Sequence, residues 1–153
     1  MAQFLLITTL LSIAGLIATS IMGFMATPGH VATHILVALI TSILGLFSQS
    51  MTMFFFIGTG KEIKEKSNEN PDAVRKTRAF KSQVFPAAMY AIGALMVTFI
   101  MGGGVGSGKT PRWLHDALAT VTLVLYGRAY YVQLRAMDEN AKLMERYLRD
   151  ESS

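Results

Sequence analysis

The chain has 153 residues, of which 52% are hydrophobic and 16% are charged, and its formal net charge is +4. This composition is typical of a membrane protein, because a chain of this length has too little polar surface to enclose equally apolar helices in a soluble bundle. The sequence contains no cysteine, which excludes disulfide bonds, thiolate metal sites and covalently attached c-type haem.

Four apolar stretches follow one another along the chain, at residues 4–26, 31–58, 84–103 and 113–134. Each is long enough to cross a hydrocarbon core about 30 Å thick. The first has no Lys or Arg before Phe4 and no Ala-x-Ala site after it, so we interpret it as a retained membrane helix and not as a signal peptide. The sequence therefore predicts an all-α integral membrane protein with four transmembrane helices in contact with the lipid bilayer.

The basic residues predict the orientation of these helices, because Lys and Arg concentrate on cytoplasmic loops. Seven lie within residues 61–83 and five lie from Arg128 onward. The loop around Pro28 has none, and the glycine-rich loop between the third and fourth stretches has only Lys109 and Arg112. We expect both termini in the cytoplasm, as for a protein of the bacterial inner (plasma) membrane. The positive net charge then reflects topology, and no nucleic-acid partner is predicted.

The glycine-rich loop matches the nucleotide-binding pattern G-x-x-x-x-G-K-[ST] at residues 103–110. A P-loop domain needs further strand and helix units and a metal-holding Asp at the end of a strand. The short remainder of the chain reads as one helix, and an outward-facing loop would meet almost no ATP. We interpret the match as accidental, and we expect neither a nucleotide partner nor enzymatic activity from the chain alone.

An internal repeat relates the two halves of the chain. Residues 12–24 and 91–103 share six identities in thirteen positions, and after a shift of two residues His34 aligns with His115. This pattern predicts two tandem-duplicated helical hairpins within one domain of residues 1–153. Repeat 1 covers about residues 4–66, repeat 2 covers about residues 84–150, and a basic cytoplasmic linker occupies residues 61–83.

Small and polar residues form a stripe on helix two and another on helix four. The stripes are His34, Ala38, Thr41, Gly45, Ser48 and Thr52 on one helix, and His115, Ala119, Thr122, Tyr126, Ala129 and Gln133 on the other. Such faces are where membrane helices pack together, so we expect the two helices to face each other. One interpretation is that the stripes serve packing alone. The other is that His34 and His115 bind one haem iron from opposite sides, with Ala38, Thr41, Ala119 and Thr122 leaving room for the porphyrin.

The second arrangement resembles that of membrane cytochromes b, in which imidazoles from two helices hold haem in an apolar pocket with cations near the propionates. The resemblance implies axial ligation by His34 and His115, with Arg112 and Lys109 beside the propionates. We therefore predict a bis-histidine b-type haem electron-transfer module, or a subunit of this kind in a larger respiratory membrane complex.

Two alternatives stay open. In the first, the chain is a non-catalytic accessory subunit whose polar faces pack against its own helices, a second copy or other membrane subunits. A third interpretation is a zinc site at His30, His34 and His115, because histidines at positions i and i+4 of a helix can chelate zinc.

Helices two and four are predicted to continue beyond the membrane. In the extension of helix four, apolar residues recur at helical spacing opposite a charged face, at Met137, Ala141, Met144 and Leu148. This face needs a partner, which is the extension of helix two, another subunit or the membrane surface. Before helix three, Asn70 and Pro71 predict a turn followed by a basic approach segment.

Overall fold

A computed structural model describes residues 1–148, and this part of the chain is helical almost throughout. Helix α1 spans Ala2–Phe24, a single 3-10 turn spans Pro28–His30, and α2, α3 and α4 span Val31–Lys66, Pro71–Gly106 and Arg112–Leu148. No strand occurs within residues 1–148, so the all-α prediction is confirmed. Helices α1, α2 and α3 are each long and apolar enough to cross a membrane.

The segment 61–83, predicted as a linker, is helical except for a turn at residues 67–70. Asn68 and Glu69 have φ values of 50° and 59°, and these reverse the chain direction. The Asn70 side chain then accepts a hydrogen bond from the Asp72 N–H at 2.9 Å, and Pro71 occupies the first helical position. This N-cap starts α3 well before its apolar stretch, because the cap satisfies a backbone donor that the helix itself leaves free.

At the opposite end, the glycines predicted to form the outer turn instead extend α3 as far as Gly106. The turn follows at residues 107–111, where Gly108 has a φ of 72°. Gly104 admits the Thr110 hydroxyl into the space that a Cβ atom would fill. The residues that match the P-loop pattern therefore lie in a helix end and a tight turn, and a helix rather than a strand leads into them.

The four helices form a bundle in which sequential helices are neighbours and α1 also packs on α4. Across the bundle α2 contacts α4, whereas within residues 1–148 the α1 and α3 backbones do not come within 8 Å of each other between Cα atoms. The predicted facing of helices two and four is thus confirmed. At their contact, Gly45 of α2 leaves room for the Tyr126 hydroxyl of α4, and the small Ala129 of α4 is buried.

The helix extensions pack on one another at the end of the bundle that carries the 67–70 turn, which we call the basic end. An apolar cluster there includes Phe56 and Ile63 of α2, Phe80 of α3 and Met137 of α4. The partner of the α4 extension is therefore the pair of extensions from α2 and α3.

The buried face of the α4 extension differs from the predicted one. Met137 is buried and Met144 half-buried, but Ala141 is exposed because the helix buries Ala136, Asn140 and Leu143 instead. The Leu148 side chain and residues 149–150 of the predicted second repeat lie outside the described residues.

Candidate functional site

The structure brings His34 and His115 together at the end of the bundle opposite the basic end. Helices α2 and α4 run in the same direction, and each carries its histidine in the first turn, so the two imidazoles lie at one depth. Their ring centroids are 6.4 Å apart and their planes are inclined by 81°. Both side chains are half-buried.

Each imidazole rests on a glycine of the preceding helix. A Cβ atom on Gly23 would lie 3.2 Å from Cε1 of His34, and one on Gly102 would lie 2.9 Å from Cε1 of His115. The internal repeat aligns these two glycines with each other. Both glycines belong to the site, although neither was among its predicted residues. The repeat alignment paired them, but it could not indicate that they contact the imidazoles.

A pair of threonines closes each hairpin below its histidine. The Thr98 and Thr122 hydroxyls share a hydrogen bond of 2.8 Å, and those of Thr19 and Thr41 lie 3.5 Å apart. The Thr122 hydroxyl is also 2.9 Å from the Leu118 carbonyl. Thr41 and Thr122 are buried, so the hydroxyls predicted to line a porphyrin pocket bond within their own hairpins.

Ala38 and Ala119 lie one turn from the histidines, between the imidazoles and the threonine pairs. Both alanines are half-buried. They are the predicted pocket residues with the smallest side chains, and they flank the imidazoles on α2 and α4.

The two histidines differ in their hydrogen bonds. Nδ1 of His115 lies 3.1 Å from the Thr98 carbonyl oxygen. A carbonyl only accepts, so this Nδ1 carries the proton and the lone pair belongs to Nε2. Nδ1 of His34 is buried and makes no hydrogen bond of good geometry in the described chain, although the Thr19 backbone, which the repeat aligns with Thr98, lies close to this imidazole.

Arg112 joins the two hairpins beside the histidines. Its Nη2 donates to the carbonyl oxygens of Gly23 and Phe24 at 2.7 and 2.9 Å, and its Nε lies 3.8 Å from Asp116. The bond to Phe24 satisfies a carbonyl that α1 leaves free, because Pro28 has no N–H to donate to it. The bond to Gly23 adds to the one that its carbonyl accepts from the Ala26 N–H. Lys109 is exposed in the neighbouring turn. Cations thus lie near the histidines, and their contact with a propionate stays a prediction.

His30 does not join the histidine pair. Its side chain is exposed, and its Nδ1 bonds the Thr27 hydroxyl at 2.9 Å. Over residues 1–148, no three His, Asp or Glu side chains come close enough to hold a metal ion. The three-histidine arrangement needed for the zinc interpretation is therefore not found.

The two hairpins bury many corresponding positions. The buried residues of α1 are Leu5, Thr8, Thr9, Ser12 and Leu16, and the aligned residues of α3, Val84, Ala87, Ala88, Ala91 and Leu95, are all buried. Six buried positions of α2 likewise match buried positions of α4, from Thr41 with Thr122 to Thr59 with Asn140.

Comparison of the chain with protein-family models, with curated proteins and with solved structures finds no match.

Proposed function

We propose that this is an integral membrane protein in which His34 and His115 bind the iron of one b-type haem. The observation that carries the proposal is the 6.4 Å separation of the two ring centroids. Imidazole nitrogens bind transition metals at about 2 Å and lie about 1 Å from their own ring centre, so two rings on opposite sides of one metal have centres roughly 6 Å apart.

The proposal includes four membrane crossings, two tandem-duplicated hairpins and cytoplasmic termini. The shared burial pattern of the two hairpins supports the duplication. A fourth crossing by α4 is supported by exposed apolar side chains, including Val121, Val124 and Tyr131, and by its 37 residues, which span about 55 Å. The basic residues at one end of the bundle support an orientation with that end in the cytoplasm.

The residues around the histidines fit this assignment. The Thr98 carbonyl orients the His115 ring and leaves the lone pair of its Nε2 available, as hydrogen-bond acceptors do for histidines that bind metals. Gly23 and Gly102 fix the position of each ring by close contact. Ala38 and Ala119 are the side chains that would obstruct a macrocycle least. A bound haem would supply one-electron transfer, and the chain's own residues would bind it, orient it and exclude water.

The test is a reduced-minus-oxidised visible spectrum of the detergent-purified protein, expressed with ample haem and compared with His34→Ala and His115→Ala. We expect the low-spin bands in the wild-type protein and their loss in both variants. His30→Ala is the matched control, since this exposed histidine lies one turn away, and it should retain haem. Helical content by circular dichroism and elution by gel filtration show whether each variant folds. Folded variants that both retain haem would overturn the assignment.

A second candidate is a non-catalytic accessory subunit. It is favoured by the internal hydrogen bonds of the threonine pairs and of Arg112, because packing alone requires polar side chains to be satisfied in this way. It predicts a colourless protein that elutes from mild detergent together with other membrane subunits and loses stability without them. A colourless protein in the same spectrum would therefore favour this candidate over the haem module.

A further inference from the structure

Below the threonine pairs, the interior between α2 and α4 contains several fully buried polar side chains. The three largest of them are Tyr126, Gln49 and Gln133, each 0% exposed, and we call them the amide layer. Gln49 follows His34 by fifteen positions, or about 22 Å along the helix. The layer therefore lies inside the span that would be enclosed by the hydrocarbon core.

Hydrogen bonding within the amide layer is incomplete. Nε2 of Gln133 donates to Oε1 of Gln49 at 2.6 Å. Nε2 of Gln49, Oε1 of Gln133 and the Tyr126 hydroxyl are buried without a partner in the described chain. Reversing both amides would still leave one amide donor and one amide acceptor free, so this result does not depend on how the amide atoms are assigned.

Neighbouring hydroxyls do not supply the missing bonds. The Ser48 hydroxyl bonds the Gly45 carbonyl at 3.1 Å, and the Thr52 hydroxyl bonds the Ser48 carbonyl at 2.8 Å. A Cβ atom on Gly45 would lie 2.7 Å from the Tyr126 hydroxyl oxygen. Gly45 thus admits this hydroxyl against the α2 backbone, next to the turn that carries Gln49.

Buried polar atoms without partners are unfavourable, and the cost is several kcal/mol per group where lipid surrounds the protein. Proteins meet this need with internal water, which typically makes about three hydrogen bonds to buried polar groups. The free groups of the amide layer are two donors, on Tyr126 and Gln49, and one acceptor, on Gln133. A water molecule can accept the two donated bonds and donate to the acceptor.

We propose that Tyr126, Gln49 and Gln133 form a binding site for ordered water between α2 and α4. The ligand is a neutral hydrogen-bonding molecule, because the three unpartnered groups carry no charge. Towards the basic end the site is closed by the apolar cluster that contains Phe56 and Met137. Towards the other end it is followed by the buried Thr41 and Thr122. This inference does not depend on haem binding.

The test is transfer of magnetisation from water to glutamine side chains in solid-state NMR of the lipid-reconstituted protein. The chain has only the glutamines 3, 49, 83 and 133, so selective ¹⁵N labelling gives four resolvable side-chain amides. Gln3 and Gln83 are exposed and act as internal controls. Gln49→Leu and Gln133→Leu assign the two buried signals. We expect transfer to both buried amides, and transfer to the exposed glutamines alone would overturn the proposal.

Tyr126→Phe provides an independent readout, with Tyr90→Phe as its control because Tyr90 is 64% exposed. In a hydrated site the hydroxyl bonds water, so Tyr126→Phe lowers the unfolding midpoint and weakens the water signal at Gln49. In a dry site the substitution removes an unsatisfied group, and the midpoint stays the same or rises. An unchanged or raised midpoint, relative to Tyr90→Phe, would also overturn the proposal.

Discussion

The two hairpins place the same kinds of residues around their histidines but bond them differently. In α3 and α4, the Thr98 carbonyl binds His115 and the threonine hydroxyls are 2.8 Å apart. In α1 and α2, Nδ1 of His34 makes no hydrogen bond of good geometry, although the aligned Thr19 backbone lies close to the ring, and the equivalent hydroxyls are 3.5 Å apart. The second hairpin therefore fixes its imidazole more firmly than the first, although both rest on an aligned glycine.

The buried faces of α1 and α3 share small side chains at three aligned positions. Thr8, Thr9 and Ser12 of α1 align with alanines in α3, and all of these positions are buried. The side chains stay small while their polarity changes. Small size allows close helix packing in both hairpins, and the α1 hydroxyls bond carbonyls of their own helix.

The glycines beneath the imidazoles give the largest expected difference between the hairpins. Gly102→Ala forces a Cβ atom against the firmly held His115 and should lower the free energy of unfolding by about 1–3 kcal/mol. Gly23→Ala should cost less, because its contact is longer and His34 is less tightly bonded. Denaturant titration in detergent measures both, with Gly93→Ala as control because no atom lies within 4 Å of a Cβ there. A larger effect from Gly23→Ala would contradict the comparison.

Arg112 joins the hairpins, and its removal should produce the next largest effect. Arg112→Gln loses the bonds to the Gly23 and Phe24 carbonyls, and we expect a loss of about 1.5 kcal/mol in stability. Lys109→Gln removes an exposed cation from the adjacent turn and should have almost no effect. Thermal unfolding of the two variants tests this difference. Equal midpoints would show that the bonds from Arg112 to the end of α1 do not contribute to stability.

The threonine pairs should differ in coupling energy. A double-mutant cycle with Thr98→Val and Thr122→Val should give about 0.6 kcal/mol, a typical value for hydrogen bonds between membrane helices. The same cycle at Thr19 and Thr41 should give a value close to zero because the hydroxyls are farther apart. Stronger coupling in the first hairpin would reverse the order proposed here.

The smallest expected effect concerns Asp72, at the start of the second hairpin. Hydrogen bonds from Lys76, and then from Arg75, lower the pKa of its carboxyl. The resulting stabilisation is complete above the ordinary Asp pKa and is lost as pH falls through the lower pKa of the folded state. The stability difference between wild type and Asp72→Asn should therefore shrink in acid. A difference that grows as pH falls below 4 would contradict this assignment.

The histidine pair could be predicted because periodicity and the internal repeat are local properties of the sequence. Steps of four and three residues from His34 and His115 trace helix faces, and those faces contact each other across the bundle. The length of α3 could not be predicted in this way. Gly102 to Gly106 favour a turn by propensity, yet they continue α3, where Gly102 packs under His115 and Gly104 under Thr110.

The contacts of Arg112 and Gln49 could not be predicted from the sequence either. Arg112 has the charge that a propionate would require, but its bonds to α1 depend on how the hairpins dock. Gln49 lies one residue outside the predicted stripe on α2, and its bond to Gln133 depends on the rotation of both helices. Such tertiary contacts are not encoded by spacing within one helix.

Electron paramagnetic resonance of the oxidised, haem-loaded protein tests the central claim most directly, because the spectrum responds to both axial ligands and to the angle between them. If both imidazoles bound the iron with their planes inclined by 81°, two iron d orbitals would be nearly equal in energy. We therefore expect a low-spin ferric signal with a large maximum g value, lost in both His34→Ala and His115→Ala. A high-spin signal, or no haem signal from protein expressed with ample haem, would contradict it.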